Sequence, residues 1–196
     1  MPFVETVFGE QTGLPMHMLS PHARTTYDEM QQFLADRVLG QPEAVSAVAD
    51  ILALYKTGLN DPDQPAGVLL FVGPTGVGKT ELAKATSEFL FGTREKIFRV
   101  DMSEYKDFHS FEKLIGDPKS GKTGILTDHV RRHPFSVVLL DEFEKGHANL
   151  ADLFLQVFDD GRLTDASGET VDFRHTLLIL TSNVGSNVLT HCLVHA

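Results

Sequence analysis

Four short, largely apolar runs stand out along the chain: VLLFV at 68–72, IFRV at 97–100, VVLL at 137–140 and LLIL at 177–180. Runs of this length, bounded by glycine or polar residues, fit strands buried on both faces of a parallel sheet. Between them the apolar spacing shifts to three and four residues, which predicts helices over 80–91, about 122–132 and 148–158. Alternation of this kind defines an α/β chain with helices on both faces of a mostly parallel sheet. Upstream, Met30, Phe33, Leu34 and Val38 give an apolar face to a helix reaching about Arg37. Thr25 or Thr26 serves as its N-cap, and Asp28 and Glu29 suit the positive end of its dipole. Pro42 opens a second helix, whose stripe of Ala44, Val45, Val48, Ala49, Leu52 and Tyr55 runs to about Thr57. Residues 58–67, with Asn60-Asp61-Pro62 and Gln64-Pro65, read as a surface loop. Around 161–174, Gly161, Asp165, Ser167 and Gly168 alternate with Leu163, Val171 and Phe173, the pattern of a β-hairpin or long loop. Residues 1 to about 25 hold Pro2, Gly9, Gly13, Pro15 and Pro21 without sustained periodicity, and we expect an extended arm or linker there.

Composition acts mainly by exclusion. A chain of 196 residues suits one domain plus an arm. Lys+Arg 17 against Asp+Glu 27 leaves a net charge of −10, which opposes sequence-independent binding to nucleic acid or anionic membrane. The one basic run, Arg131-Arg132-His133, is short. The single cysteine, Cys192, excludes an internal disulfide and a thiolate zinc cluster and fits a reducing compartment. No apolar stretch approaches the roughly 18 residues of a membrane span, and the N-terminus lacks the basic start and apolar core of a secretion signal. We expect a cytoplasmic domain.

The chemistry begins at Gly73-Pro74-Thr75-Gly76-Val77-Gly78-Lys79-Thr80, a full G-x-x-x-x-G-K-[ST]. Its glycines let a tight loop aim backbone N–H groups at phosphates, and the following helix adds its positive end. Lys79 carries an ammonium toward the β- and γ-phosphates, and Thr80 offers a hydroxyl to Mg²⁺. An apolar strand before the loop and the helix formers from Glu81 onward supply the required flanks; Glu81 is counted among the nucleotide-binding residues with 73–80. Such a loop needs an acid at the end of a neighbouring strand, and VVLLDE at 137–142 provides Asp141 for the metal and Glu142 as general base. Asp101 ends another strand and either assists or caps a turn. Asn183, after 177–182, places a neutral amide where it can bond the γ-phosphate or the attacking water. His191 and His195 stand four apart near the C-terminus, but no third ligand accompanies them, and a metal role is set aside.

These motifs occur in an ordered series with Val38-Leu39-Gly40-Gln41, Leu114-Ile115-Gly116, Glu144-Lys145, Phe154-Leu155-Gln156-Val157, the DDGRLTD segment at 159–165, Val171-Asp172-Phe173-Arg174 and Thr181-Ser182-Asn183. As a set they resemble the second ATPase domain of the Clp-type AAA+ unfoldases and disaggregases, the ClpA/ClpB group, over about 26–187. The resemblance implies a P-loop NTPase three-layer αβα sandwich with AAA+ strand order 5-1-4-3-2, residues 1–25 as arm and 188–196 as tail. It makes 73–80 Walker A, Asp141 and Glu142 Walker B, Asn183 sensor 1, with Lys79 also catalytic, and Val38 and Leu39 lining the adenine pocket. ATP and Mg²⁺ are the implied cofactors, and protein substrates and ring-forming subunits the implied partners. Nucleic acid and membrane are not expected.

Two departures qualify the likeness. The family carries a Gly-aromatic-Val-Gly pore loop after its Leu-Ile-Gly, whereas here Asp117-Pro118-Lys119-Ser120-Gly121-Lys122-Thr123-Gly124 is shorter and has no aromatic. The family's arginine finger, fifth strand and helical lid also lie beyond sensor 1, and the residues after Asn183 leave no room for them. We therefore expect these parts, the fifth strand included, to be missing from the chain. The leading expectation is an ATPase coupled to protein remodelling or unfolding. The alternative is a nucleotide-responsive interaction module with little turnover and no polypeptide threading.

Overall fold

The computed structural model describes residues 2–12, 25–117, 122–165 and 168–184. Its centre is a four-stranded parallel sheet of β1 (Gly67–Val72), β2 (Ile97–Asp101), β5 (Val137–Asp141) and β8 (Leu177–Ser182), in the order β1-β8-β5-β2. Counting only these core strands the order is 1-4-3-2, the expected arrangement without the outer fifth strand among the described residues. Successive residues of a strand point to opposite faces, and the core divides accordingly. Val137, Leu139, Leu177 and Ile179 face one cluster, packed under α2 (Tyr27–Ala35), α3 (Pro42–Thr57) and α4 (Lys79–Phe91). Val138, Leu140, Leu178 and Leu180 face the other, with α6 (Ile125–Arg132), α7 (Ala148–Asp160) and the antiparallel hairpin β6 (Arg162–Thr164) to β7 (Thr170–Asp172). This is a three-layer αβα sandwich.

Local chemistry sets the element ends. Thr26 closes a capping box on α2, accepting from the Glu29 N–H at 3.2 Å while its own N–H donates to the Glu29 carboxylate at 2.7 Å. Pro42 starts α3 at a position where its missing N–H costs nothing, and Gly58 ends it in a left-handed conformation. The 161–174 segment is the hairpin rather than a long loop.

Two expectations change, and one helix is new. Residues Pro2–Thr12 form a helix, α1, not an extended arm. Pro2 fits its first turn, and Phe8 meets the Phe135 ring edge-on at a centroid distance of 5.8 Å, so tertiary contact supports what weak periodicity did not announce. Residues Phe108–Ile115 form a helix, α5, capped by Asp107, which accepts from the Ser110 N–H at 2.9 Å. The helix expected from about 122 begins at Ile125, because Lys122–Thr123 is a short strand, β4, paired antiparallel with β3 (Gly116–Asp117). The proposed tail at 188–196, with His191 and His195, lies outside the described residues.

Candidate nucleotide site

The loop at 73–80 joins β1 to α4 and opens on a cleft of about 470 Å³ at the C-terminal edge of the sheet. Open α/β sheets place ligands at this edge. Gly76 (φ 87°) and Gly78 (φ 101°) hold conformations that side chains disfavour, and both line the cleft. A Cβ on Gly78 would also lie 3.3 Å from the Val38 side chain. Val38 thus packs against the end of the loop and is only 5% exposed, while neighbouring Leu39 is 85% exposed.

Lys79 folds back over its own loop. Its Nζ donates to the carbonyls of Gly73 at 2.6 Å and Pro74 at 2.8 Å, and to Asn183 Oδ1 at 2.9 Å. The Asn183 Nδ2 donates in turn to Glu142 Oε1 at 3.2 Å, and Glu142 Oε2 accepts from Lys145 Nζ at 2.7 Å. The Asn183 main-chain N–H is held by Glu144 at 3.1 Å. Lys79, Asn183 and Glu142, distant in sequence, therefore form one continuous hydrogen-bonded chain. The pairing with Glu142 holds the Lys145 ammonium pKa above its ordinary value.

Asp141 ends β5 and is buried. Its Oδ1 accepts the Thr181 hydroxyl, and its Oδ2 accepts from Arg99 Nε at 3.0 Å and Nη2 at 2.6 Å. The Thr181 oxygen also accepts the Glu142 N–H at 3.1 Å, so one hydroxyl braces both acidic residues. Glu142 has φ 55°, a left-handed conformation rare for a side-chain-bearing residue, and this turns its carboxylate toward Asn183. Asp101 resolves as a cap: it accepts from the Ser103 N–H at 3.0 Å, and the Ser103 contacts keep its carboxyl pKa low, although it also lines the cleft. Glu81 lines the cleft too and pairs with Arg94.

All the site residues expected from the sequence lie within the described chain, and 75–76, 78–81, Asp141, Glu142 and Asn183 converge on the cleft. The sequence pattern assigned no role to Arg99, Lys145 or Thr181. The parallel register pairs Asp101 with Asp141 and brings β8 beside β5, contacts that no local motif encodes. Thr80 and Asp141 both line the cleft, and a hydroxyl and a carboxylate are oxygen donors of the kind a hard divalent cation takes.

The model of the AAA domain (Cdc48 subfamily) matches residues 64–192. The chain belongs to that family. Within it the chain is of the Clp type: it is 49% identical to the chaperone protein ClpB of Pseudomonas putida over 187 residues, 93% of this chain and 22% of the relative. It is also 48% identical to ClpC/MecB of Bacillus subtilis, the negative regulator of genetic competence, over 95% of this chain and 24% of that protein. Among solved structures, the closed-state cryo-EM reconstruction of Hsp104 with ATPγS and FITC-casein superposes with a TM-score of 0.84 at 37% identity, covering 94% of this chain and 32% of that one. This AAA domain thus spans about a fifth to a quarter of the length of these curated relatives.

Proposed function

We propose that this AAA domain binds ATP with Mg²⁺ and hydrolyses it, as the large subdomain of a cytoplasmic Clp-type motor whose subunits form a ring and remodel protein substrates. The observation that carries this reading is the convergence of Lys79, Asp141, Glu142 and Asn183 on one cleft beside a glycine-rich loop. Main-chain amides of 73–80 and the Lys79 ammonium bind the triphosphate, for which Lys79 exchanges its present bonds to the Gly73 and Pro74 carbonyls. Thr80 and Asp141 hold the magnesium ion, which supplies charge neutralisation at the phosphates. Glu142 accepts a proton from the attacking water, and Asn183, already bonded to both Glu142 and Lys79, orients that water relative to the γ-phosphate. Val38 and Leu39 flank the adenine, with the exposed Leu39 supplying apolar surface.

A second reading has its own support. Gly116–Asp117 pairs with Lys122–Thr123, and the sequence between 116 and 124 contains no aromatic residue. A polypeptide grip needs an amphipathic ring able to contact apolar and polar side chains alike. This favours a nucleotide-responsive interaction module that does not thread substrate. Steady-state phosphate release separates the two. Turnover that falls about a hundredfold or more in Glu142→Gln, with ATP binding retained, supports the enzyme. Tight binding without turnover in the unmodified chain supports the module.

A further inference from the structure

Arg99 stands two residues before the end of β2, and its guanidinium reaches across to β5. Both contacting nitrogens, Nε at 3.0 Å and Nη2 at 2.6 Å, converge on the single oxygen Oδ2 of Asp141. Since Thr181 occupies Oδ1, each carboxylate oxygen is engaged by the protein itself. The Asp141 side chain is 11% exposed and the Arg99 side chain 53%. A carboxylate so far withdrawn from water needs a counter-charge, and a half-exposed arginine at the cleft wall can provide one and still swing away. The charged residues lining the cleft are Lys79, Lys84 and Arg99 against Glu81, Asp101, Asp141 and Glu142, three positive and four negative, or −1 in sum. An arriving polyphosphate therefore meets a lining whose summed charge is not positive, and losing one of its cations makes that sum less favourable still.

We propose that Arg99 is a positioning residue that competes with the divalent cation for Asp141 and releases this carboxylate when Mg²⁺–ATP enters. The inference rests on the nucleotide reading above. Arg99 then acts in two opposing ways. It competes with magnesium for Asp141, and it offsets the negative lining toward bare phosphate.

Equilibrium titration of a fluorescent ATP analogue against the unmodified chain, Arg99→Ala and Arg99→Lys, each in excess Mg²⁺ and each in EDTA, separates these effects. Without metal, Arg99→Ala binds about two- to fivefold more weakly, the range of a screened, half-exposed charge, as the lining falls to −2. With Mg²⁺ it binds at least as tightly as the unmodified chain, so its affinity ratio with and without metal rises by that factor or more. Arg99→Lys retains a cation but not the planar fork, and its ratio falls between the two. An unchanged ratio in Arg99→Ala, whether from unaltered binding or from equal weakening in both conditions, overturns the proposal. Equal weakening identifies Arg99 as a plain phosphate ligand. Absence of binding by the unmodified chain in both conditions overturns the nucleotide reading and this inference with it.

Discussion

At the residue scale, the site depends on one hydroxyl that carries no chemistry of its own. Thr181 donates to Asp141 and accepts from the Glu142 N–H, which also helps hold Glu142 at its left-handed φ of 55°. Such a conformation costs on the order of 1–3 kcal/mol and persists only where its surroundings fix it. Thr181→Val keeps the shape and leaves the Glu142 N–H and Asp141 Oδ1 without their Thr181 partner, Asp141 retaining Arg99. We expect a loss of about 1–3 kcal/mol in denaturant unfolding. Phosphate release should fall further than ATP affinity, because the proposed base Glu142 loses its aim while the loop at 73–80 is untouched. Equal loss of affinity and turnover would show that Thr181 supports the whole cleft rather than its acidic residues. The contrast with Lys79 is instructive about legibility. Lys79 and Thr80 were readable because a contiguous loop must place them, whereas the partnerships of Thr181 and Arg99 exist only through the register of adjacent strands.

At the element scale, the strands and their bounding helices were plain in the apolar spacing, while α1 and α5 were not. α1 contains Pro2 and Gly9 and is supported by the Phe8–Phe135 contact rather than by its own pattern, while α5 is defined by its Asp107 cap. At the start of α6 the chain passes close to the end of α5: a Cβ on Gly124 would sit 2.3 Å from the Ile115 carbonyl carbon and the Leu114 oxygen. These are backbone atoms that cannot swing aside. Gly124→Ala should cost more than about 2 kcal/mol, read as a lowered melting temperature. On α6, His129 stacks on Phe98 at 4.1 Å, and burial, aided by His133, pushes its pKa down to about 4 from 6.5. Between those values the unfolded chain holds a proton that the folded one does not, so stability is full above pH 6.5 and declines toward pH 4. Glu88, held down to about 2 by Arg37 and Arg94, adds its own loss only below 4.5. Melting temperatures from pH 7 to 4 should therefore decline less in His129→Phe, which keeps an aromatic stack and removes the titration. Parallel curves for the two proteins would exclude His129 as the source.

At the scale of the whole molecule, the sheet joins the parts. Its two faces bury separate apolar clusters, and the C-terminal ends of β1, β5 and β8 deliver the loop, the acidic pair and Asn183 to one edge. Periodicity alone implied a parallel sheet; the order of its strands came from the family resemblance and agrees with β1-β8-β5-β2. A second link ties the proposed adenine side to the proposed phosphate side: Arg37 holds Glu88 at 2.7 Å, joining the segment before Val38 to the helix that begins at Lys79. The proposed nucleotide thus bridges elements that the fold already connects. Isothermal titration of the chain with Mg²⁺–ATP, beside Lys79→Ala, tests this most directly. One saturable site that disappears in Lys79→Ala, with both proteins folded by circular dichroism, is the expected result. No heat from the folded unmodified chain, or equal binding by Lys79→Ala, would contradict it.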